Sequence, residues 1–153
     1  MNAEKRVEEL GLELPPTPKP VGTYVGGVRT GNLLFMSGCG PRRKDGSAIT
    51  GKLGETLTIE QGYDAARHVG LNMLANIRDV LGSLDKVKRV VKVLGMVNAA
   101  PNFSDTPKVI NGFSDLFVEV FGEAGKGARS AVGMVMLPSQ IAVEVEMVLE
   151  VED

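Results

Sequence analysis

The chain has 153 residues, with 17 lysine and arginine residues against 19 aspartate and glutamate residues, giving a formal net charge of −2. A chain so close to neutrality does not bind polyanions through its overall charge. It contains one histidine and one cysteine, which excludes an internal disulfide and leaves a Cys/His zinc site without enough ligands. A catalytic relay through histidine would have to use His68. Composition therefore directs any chemistry towards arginine, lysine, carboxylates, hydroxyls, backbone groups and water.

Length and hydropathy predict a single soluble domain. No run approaches the roughly 20 apolar residues of a membrane span, and residues 1–12 lack the apolar core of a signal peptide. A lone cysteine fits a reducing compartment, so we expect a cytoplasmic protein. We predict an N-terminal extension over residues 1–19 and one domain over residues 20–153.

The first predicted elements are a short helix and a hairpin. Glu4–Leu10 favours a helix, and the prolines between positions 15 and 20 end it. Tyr24–Val28 and Leu33–Ser37 predict two strands of a hairpin, with Gly31 and Asn32 in the turn. The polar, glycine-rich residues 42–57 predict a loop with one short strand.

A long amphipathic helix is predicted next. Thr58 and Gln61 have the spacing of a capping box, and Gly82 is placed to end the helix. Apolar side chains recur at helical spacing between these bounds, namely Ala66, Val69, Met73, Ile77, Val80 and Leu81.

The second half of the chain predicts three strands and another helix. Val87–Asn98 is β-branched and apolar, as in a central strand. Thr106 and Pro107 begin a helix that Gly122 ends; its apolar residues are Val109, Ile110, Phe113, Leu116, Phe117 and Val120. Two further strands are predicted at Ser130–Leu137 and, with strict alternation, at Ile141–Val151.

This order of elements predicts an α+β fold, with a sheet of about six strands and two helices on one face. Val87–Asn98 is apolar on both of its faces. We therefore expect another subunit to bury the face of the sheet that the two helices leave uncovered.

Two charged residues are candidates for chemistry. Arg129 stands at a strand entrance after two glycines, where it is placed to bind a carboxylate bidentately or to form a structural ion pair. Glu144 and Glu146 point to the same side of the last strand. A carboxylate there lies on a solvated face, pairs with an arginine or acts on water. If the last two strands form a hairpin, Arg129 and Glu144 share one site.

The remaining candidates have weaker patterns. His68 is expected on a helix surface. Cys39, between Gly38 and Gly40, could contact a ligand, but a nucleophilic cysteine needs a nearby base or cation to lower its pKa. The basic runs 42–44 and 86–92 lack interleaved aromatic residues, which favours a solvated surface over a nucleic-acid site.

Several motifs together resemble the RidA family, also called YjgF/UK114. They are Pro20-x-Gly22-x-Tyr24, Gly31-Asn32-Leu33-Leu34-Phe35-Met36-Ser37-Gly38, Val109-Ile110-Asn111, Ala128-Arg129-Ser130-Ala131-Val132, Leu137-Pro138 and Val143-Glu144-Val145-Glu146. The resemblance covers Pro20 to Val151. Residues 51–58 and 107–125 resemble the branch described as YjgF/chorismate mutase-like, putative endoribonuclease.

The resemblance implies a chorismate-mutase-like fold of the bacillus type and a homotrimer whose sheets form a central barrel. It also implies an enamine/imine deaminase that uses no cofactor and no metal. Such an enzyme hydrolyses 2-imino acids to 2-keto acids and ammonia in a cleft between subunits. In that scheme Arg129 binds the substrate carboxylate and Glu144 positions the attacking water. The implied substrate-binding positions are Tyr24, Ser37, Gly38, Cys39, Asn111 and Ala131.

Three positions depart from the family pattern. Gly133 stands where the family usually has glutamate, Cys39 where it often has glutamine, and Ala131 where cysteine is frequent. These departures leave open a protein that binds small carboxylates without turnover. RNA cleavage is a third alternative, but the sequence contains neither a histidine pair nor a basic groove with aromatic residues.

Overall fold

The computed structural model describes residues 2–153, which form three α-helices and one five-stranded sheet. The helices are α1 Ala3–Glu9, α2 Ile59–Leu81 and α3 Thr106–Phe121. The strands are β1 Gly27–Thr30, β2 Leu33–Cys39, β3 Val87–Asn98, β4 Ala128–Met134 and β5 Val143–Val151. Their order in the sheet is β1-β2-β5-β3-β4, and only the β3–β4 pair is parallel.

The predicted α+β class is confirmed, but the sheet has five strands rather than about six. The helix predicted at Glu4–Leu10 is also confirmed, so the fold has three helices and not only the two that cover the sheet. The short strand predicted within residues 42–57 is reduced to isolated bridges, such as Arg42 with Ala48. The third helix is α1, whose residues Ala3 and Val7 are buried in the core. A helix this short needs such packing to be stable, so α1 belongs to the folded unit.

The predicted limits of α2 are confirmed by its caps. The Thr58 hydroxyl accepts a hydrogen bond from the Gln61 amide at 3.2 Å, and the Gln61 side chain accepts one from the Thr58 amide at 2.9 Å. Gly82 ends the helix with φ of 84°, a conformation that favours glycine. One predicted core residue of this helix was wrong, because Val80 is 40% exposed.

Helices α2 and α3 cover the same face of the sheet. Val145 of β5 pairs with Cys39 on one side and with Gly95 on the other, so these three residues face the same way. The Cys39 thiol lies 4.0 Å from the Val69 carbonyl of α2. A Cβ built on Gly95 would lie 2.6 Å from the Ile110 side chain of α3.

The opposite face of the sheet, here called the open face, carries exposed apolar side chains. Val28 is 56% exposed, Phe35 44% and Val132 38%. Leu94 and Met96 of β3 are partly exposed on the same face. The expectation that another subunit covers this face stays a prediction.

The last two strands do not form the hairpin that the sequence predicted, because β3 lies between β4 and β5. The connection turns sharply at Ser139 and Gln140, where φ is 54° and 57°. It then passes the end of β3, where the Asn98 amide donates to the Ala142 carbonyl at 2.9 Å. Within residues 2–153, no helix is both long and apolar enough to cross a membrane.

Candidate active site

The guanidinium of Arg129 is held by helix α3. Its Nη1 donates to Asn111 Oδ1 at 2.9 Å and to Ser114 Oγ at 3.2 Å. Both bonds use the same nitrogen, and no residue within the described range 2–153 accepts from Nε or Nη2. That free pair of parallel donors is the edge with which arginine binds a carboxylate bidentately.

A small groove of about 210 Å³ surrounds this guanidinium. Arg129 pairs with the buried Val93 in the sheet register, so it lies on the face that the helices cover. Asn111 thus contacts Arg129 directly and positions it. Ser114 was missed by the sequence reasoning, although it lies three residues after Asn111 and therefore on the same side of a helix.

Ala131 lies two residues beyond Arg129 and on the same face of β4. Its carbonyl accepts a hydrogen bond from the buried Thr106 hydroxyl at 3.0 Å. At Gly133, a Cβ would lie 3.4 Å from Ala99 and meet nothing closer. This end of β4 therefore has space for a Cβ at position 133.

The carboxylate of Glu144 lies over the backbone of Gly38. A Cβ built on Gly38 would approach Glu144 Oε2 to 2.6 Å, so any larger residue would push the carboxylate out of this position. Within residues 2–153, no group donates a hydrogen bond to this carboxylate. Partial burial, and secondly the negative charge of Glu146, raise the pKa of Glu144. A carboxylate with a raised pKa is a stronger base for activating water.

Tyr24, Ser37 and Gly38 line a second, larger groove of about 540 Å³, here called the long groove. The Ser37 hydroxyl donates to the Val25 carbonyl at 2.6 Å and so fixes the segment that carries Tyr24. Tyr24 itself is 51% exposed. Residues 17–21 of the N-terminal segment form another wall of the long groove.

Cys39 also borders the long groove, but its thiol is buried in the core. The side chain is 5% exposed, and Asn76 Nδ2 donates to the sulfur at 3.6 Å. Burial raises the pKa of the Cys39 thiol to about 12, so the thiolate needed for nucleophilic attack is not formed at neutral pH.

A single subunit does not bring Arg129 and Glu144 together, and the hairpin argument that placed them side by side was wrong. Glu144 alternates along β5 with the buried Val143 and Val145, which face the helices. It therefore lies on the open face, whereas Arg129 contacts α3 on the covered face. His68 lies on the surface of α2, as predicted, with Nδ1 2.9 Å from the Asp64 carbonyl.

Comparisons with known proteins agree with this architecture. The family model described as YjgF/chorismate mutase-like, putative endoribonuclease, matches residues 4–150. The chain is 42% identical over 148 residues to Protein TCP17 of Trypanosoma cruzi, covering 96% of this chain and 92% of that protein. It is 29% identical over 142 residues to a 2-iminobutanoate/2-iminopropanoate deaminase of Dermatophagoides farinae, covering 92% and 95% of the two chains.

A solved structure shows the same fold over the whole chain. It is described as a putative endoribonuclease from Shewanella oneidensis and superposes with a TM-score of 0.94 at 31% identity. The match covers 99% of this chain and 100% of that one. The α1 segment is therefore included in the shared fold.

Proposed function

Because the chain belongs to the YjgF/chorismate mutase-like family, which includes the RidA proteins, we propose that it is a cofactor-free deaminase of 2-imino acids. The proposal rests on one observation above all: the anchored Arg129 guanidinium keeps its bidentate edge free. The similarity of the chain to a protein named 2-iminobutanoate/2-iminopropanoate deaminase supports this reaction class.

The chemistry needs an anchor, a base and one water molecule. Arg129 binds the α-carboxylate, and Glu144 takes a proton as the water oxygen bonds to the imine carbon. Attack on the protonated imine moves the C=N π pair to nitrogen and gives a neutral carbinolamine. Glu144 returns its proton to that nitrogen, and the C–N bond breaks with its electron pair leaving on ammonia. The hydroxyl proton passes to solvent as the C=O bond of the 2-keto acid forms. The net reaction consumes one water for each imine.

The active form in this proposal is a homotrimer with sites between subunits. Arg129 and Glu144 lie on opposite faces of one sheet, so a complete site needs Arg129 from one subunit and Glu144 from its neighbour. The exposed Val28, Phe35 and Val132 of the open face give that association its apolar surface.

Arg129→Ala tests the proposal directly. We expect kcat/KM for an imine, generated in the assay by an amino-acid oxidase, to fall about 10- to 100-fold or more, as for a lost charge-assisted contact. Lys126→Ala is the matched control, since Lys126 lines the same small groove but pairs with Glu123 at 2.8 Å.

An Arg129→Ala protein that hydrolyses the imine as fast as the parent would show that this assignment is wrong. If 2-keto acids raise the Tm of the parent protein, yet no imine is hydrolysed, the site binds carboxylates without turnover and the deaminase proposal fails.

A further inference from the structure

The long groove is larger than a small imino acid requires. It starts at Tyr24, Ser37 and Gly38 and extends along α2 past Asn76 and Val80. Its volume of about 540 Å³ lies within the range of pockets that enclose much larger ligands. The exposure of Val80, which the helical pattern had placed in the core, follows from its position in the wall of this groove.

Arg42 is fixed at the side of the long groove by its backbone. The buried Asn72 donates from Nδ2 to the Arg42 carbonyl at 2.9 Å and to the His68 carbonyl at 2.8 Å. A bridge with Ala48 holds the same residue from the other side. The two basic residues that follow Arg42 are exposed and already have partners, since Arg43 donates to Ser47 and Lys44 pairs with Glu13.

The Arg42 guanidinium lines the groove without a partner. Within residues 2–153 it takes part in no salt bridge and donates no hydrogen bond, although the residue is only partly exposed. The other charged residues of the wall are Lys19 and Asp79, so cations outnumber carboxylates there. A partly buried guanidinium with unused donors is strongly stabilised by a bound anion.

We propose that Arg42 binds a second anionic group of the ligand, so that the long groove selects dicarboxylates. Combined with the proposed function, on which this substrate assignment rests, the preferred substrates are 2-imino acids whose side chain ends in a carboxylate. Binding of the dicarboxylate itself does not require turnover.

The test compares two 2-keto acid products that differ in the second carboxylate. Isothermal titration with 2-oxoglutarate and 2-oxobutanoate should show the parent binding the dicarboxylate about 10- to 100-fold more tightly, as expected for one charge-assisted contact. Arg42→Ala and Arg42→Gln should remove this preference and leave affinity for 2-oxobutanoate unchanged. Arg43→Ala, which makes the same change of charge on the adjacent residue, should keep the preference.

The inference is overturned if the parent binds neither acid or shows no preference, or if both Arg42 variants keep the preference. Arg42→Gln serves as the second variant in case Arg42→Ala does not fold, because glutamine keeps more of the arginine side chain's packing. The two proposals fail separately. An Arg42-dependent preference in a protein that hydrolyses no imine supports the inference and overturns the deaminase. If imine hydrolysis depends on Arg129 but the protein shows no dicarboxylate preference, the deaminase proposal is supported and the inference about Arg42 is overturned.

Discussion

At the scale of single residues, the properties of Glu144 come from its neighbours. Gly38 leaves space for the carboxylate, partial burial removes water from it, and Glu146 adds a second negative charge from two residues away. Burial and the like charge both disfavour the ionised form and raise the pKa. A carboxylate must be ionised to accept a proton. Imine hydrolysis should therefore be lost as the pH falls through the pKa of Glu144.

Glu146→Gln should shift the acid limb of the pH profile. Removing the Glu146 charge stabilises the ionised form of Glu144, so its pKa falls and kcat/KM is retained to lower pH. The measurement is kcat/KM for imine hydrolysis across the acid range. Glu150→Gln is the control, because Glu150 lies farther along β5 and pairs with Lys88. If Glu146→Gln does not shift the acid limb of the pH profile, Glu144 is not the base.

At the scale of secondary-structure elements, α2 and α3 approach closely because a glycine lies at their contact. A Cβ on Gly112 of α3 would lie 2.0 Å from the Tyr63 carbonyl oxygen of α2. A backbone atom cannot move aside as a flexible side chain does, so a substitution there has to separate the helices. That separation would also move Asn111 and Ser114, which hold Arg129.

Gly112→Ala should therefore destabilise the fold by about 1–3 kcal/mol or more, the usual range for overpacking a dense core. Urea unfolding followed by circular dichroism measures the effect. Gly133→Ala is the matched control, since its new Cβ would make only an ordinary 3.4 Å contact with Ala99. Equal stabilities for the two variants would contradict the close contact at Gly112.

At the scale of the whole molecule, the two halves of the proposed site lie on opposite faces of one sheet. Arg129 contacts α3 on the covered face, and Glu144 lies on the open face beside Gly38. In the proposed function a neighbouring subunit completes the site, and we expect the exposed apolar side chains of the open face to form that contact.

Mixing two inactive variants tests this arrangement. Arg129→Ala and Glu144→Gln should each lack activity alone, but subunits exchanged at equal ratio should recover about a quarter of the sites, because mixed trimers pair an intact Arg129 with an intact Glu144. The measurement is imine hydrolysis after mild denaturation and refolding of the mixture. Each variant refolded alone is the control. No recovery from a mixture that light scattering shows to be trimeric would place both residues in one subunit's site.

The local parts of this structure could be predicted from the sequence. The capping box at Thr58 and Gln61, the glycine end of α2 and the alternation along β5 depend on residues close together in the chain. The prediction failed for Val80, because the N-terminal segment turns that end of α2 into a groove wall. It also omitted Ser114, whose hydrogen bond with Arg129 joins α3 to β4 and depends on how these two elements pack.

The α+β class, the alternation of β5 between its two faces and the family could all be read from the sequence, because helical and strand periodicities and short motifs are local properties of the chain. With one histidine and one cysteine, the composition also favoured Arg129 and Glu144 as candidates. The separation of β4 from β5 by β3, and the opposite orientation of the two candidate residues, became visible in the folded structure alone. Strand order depends on which distant segments pair, and that choice is made by packing across the whole molecule.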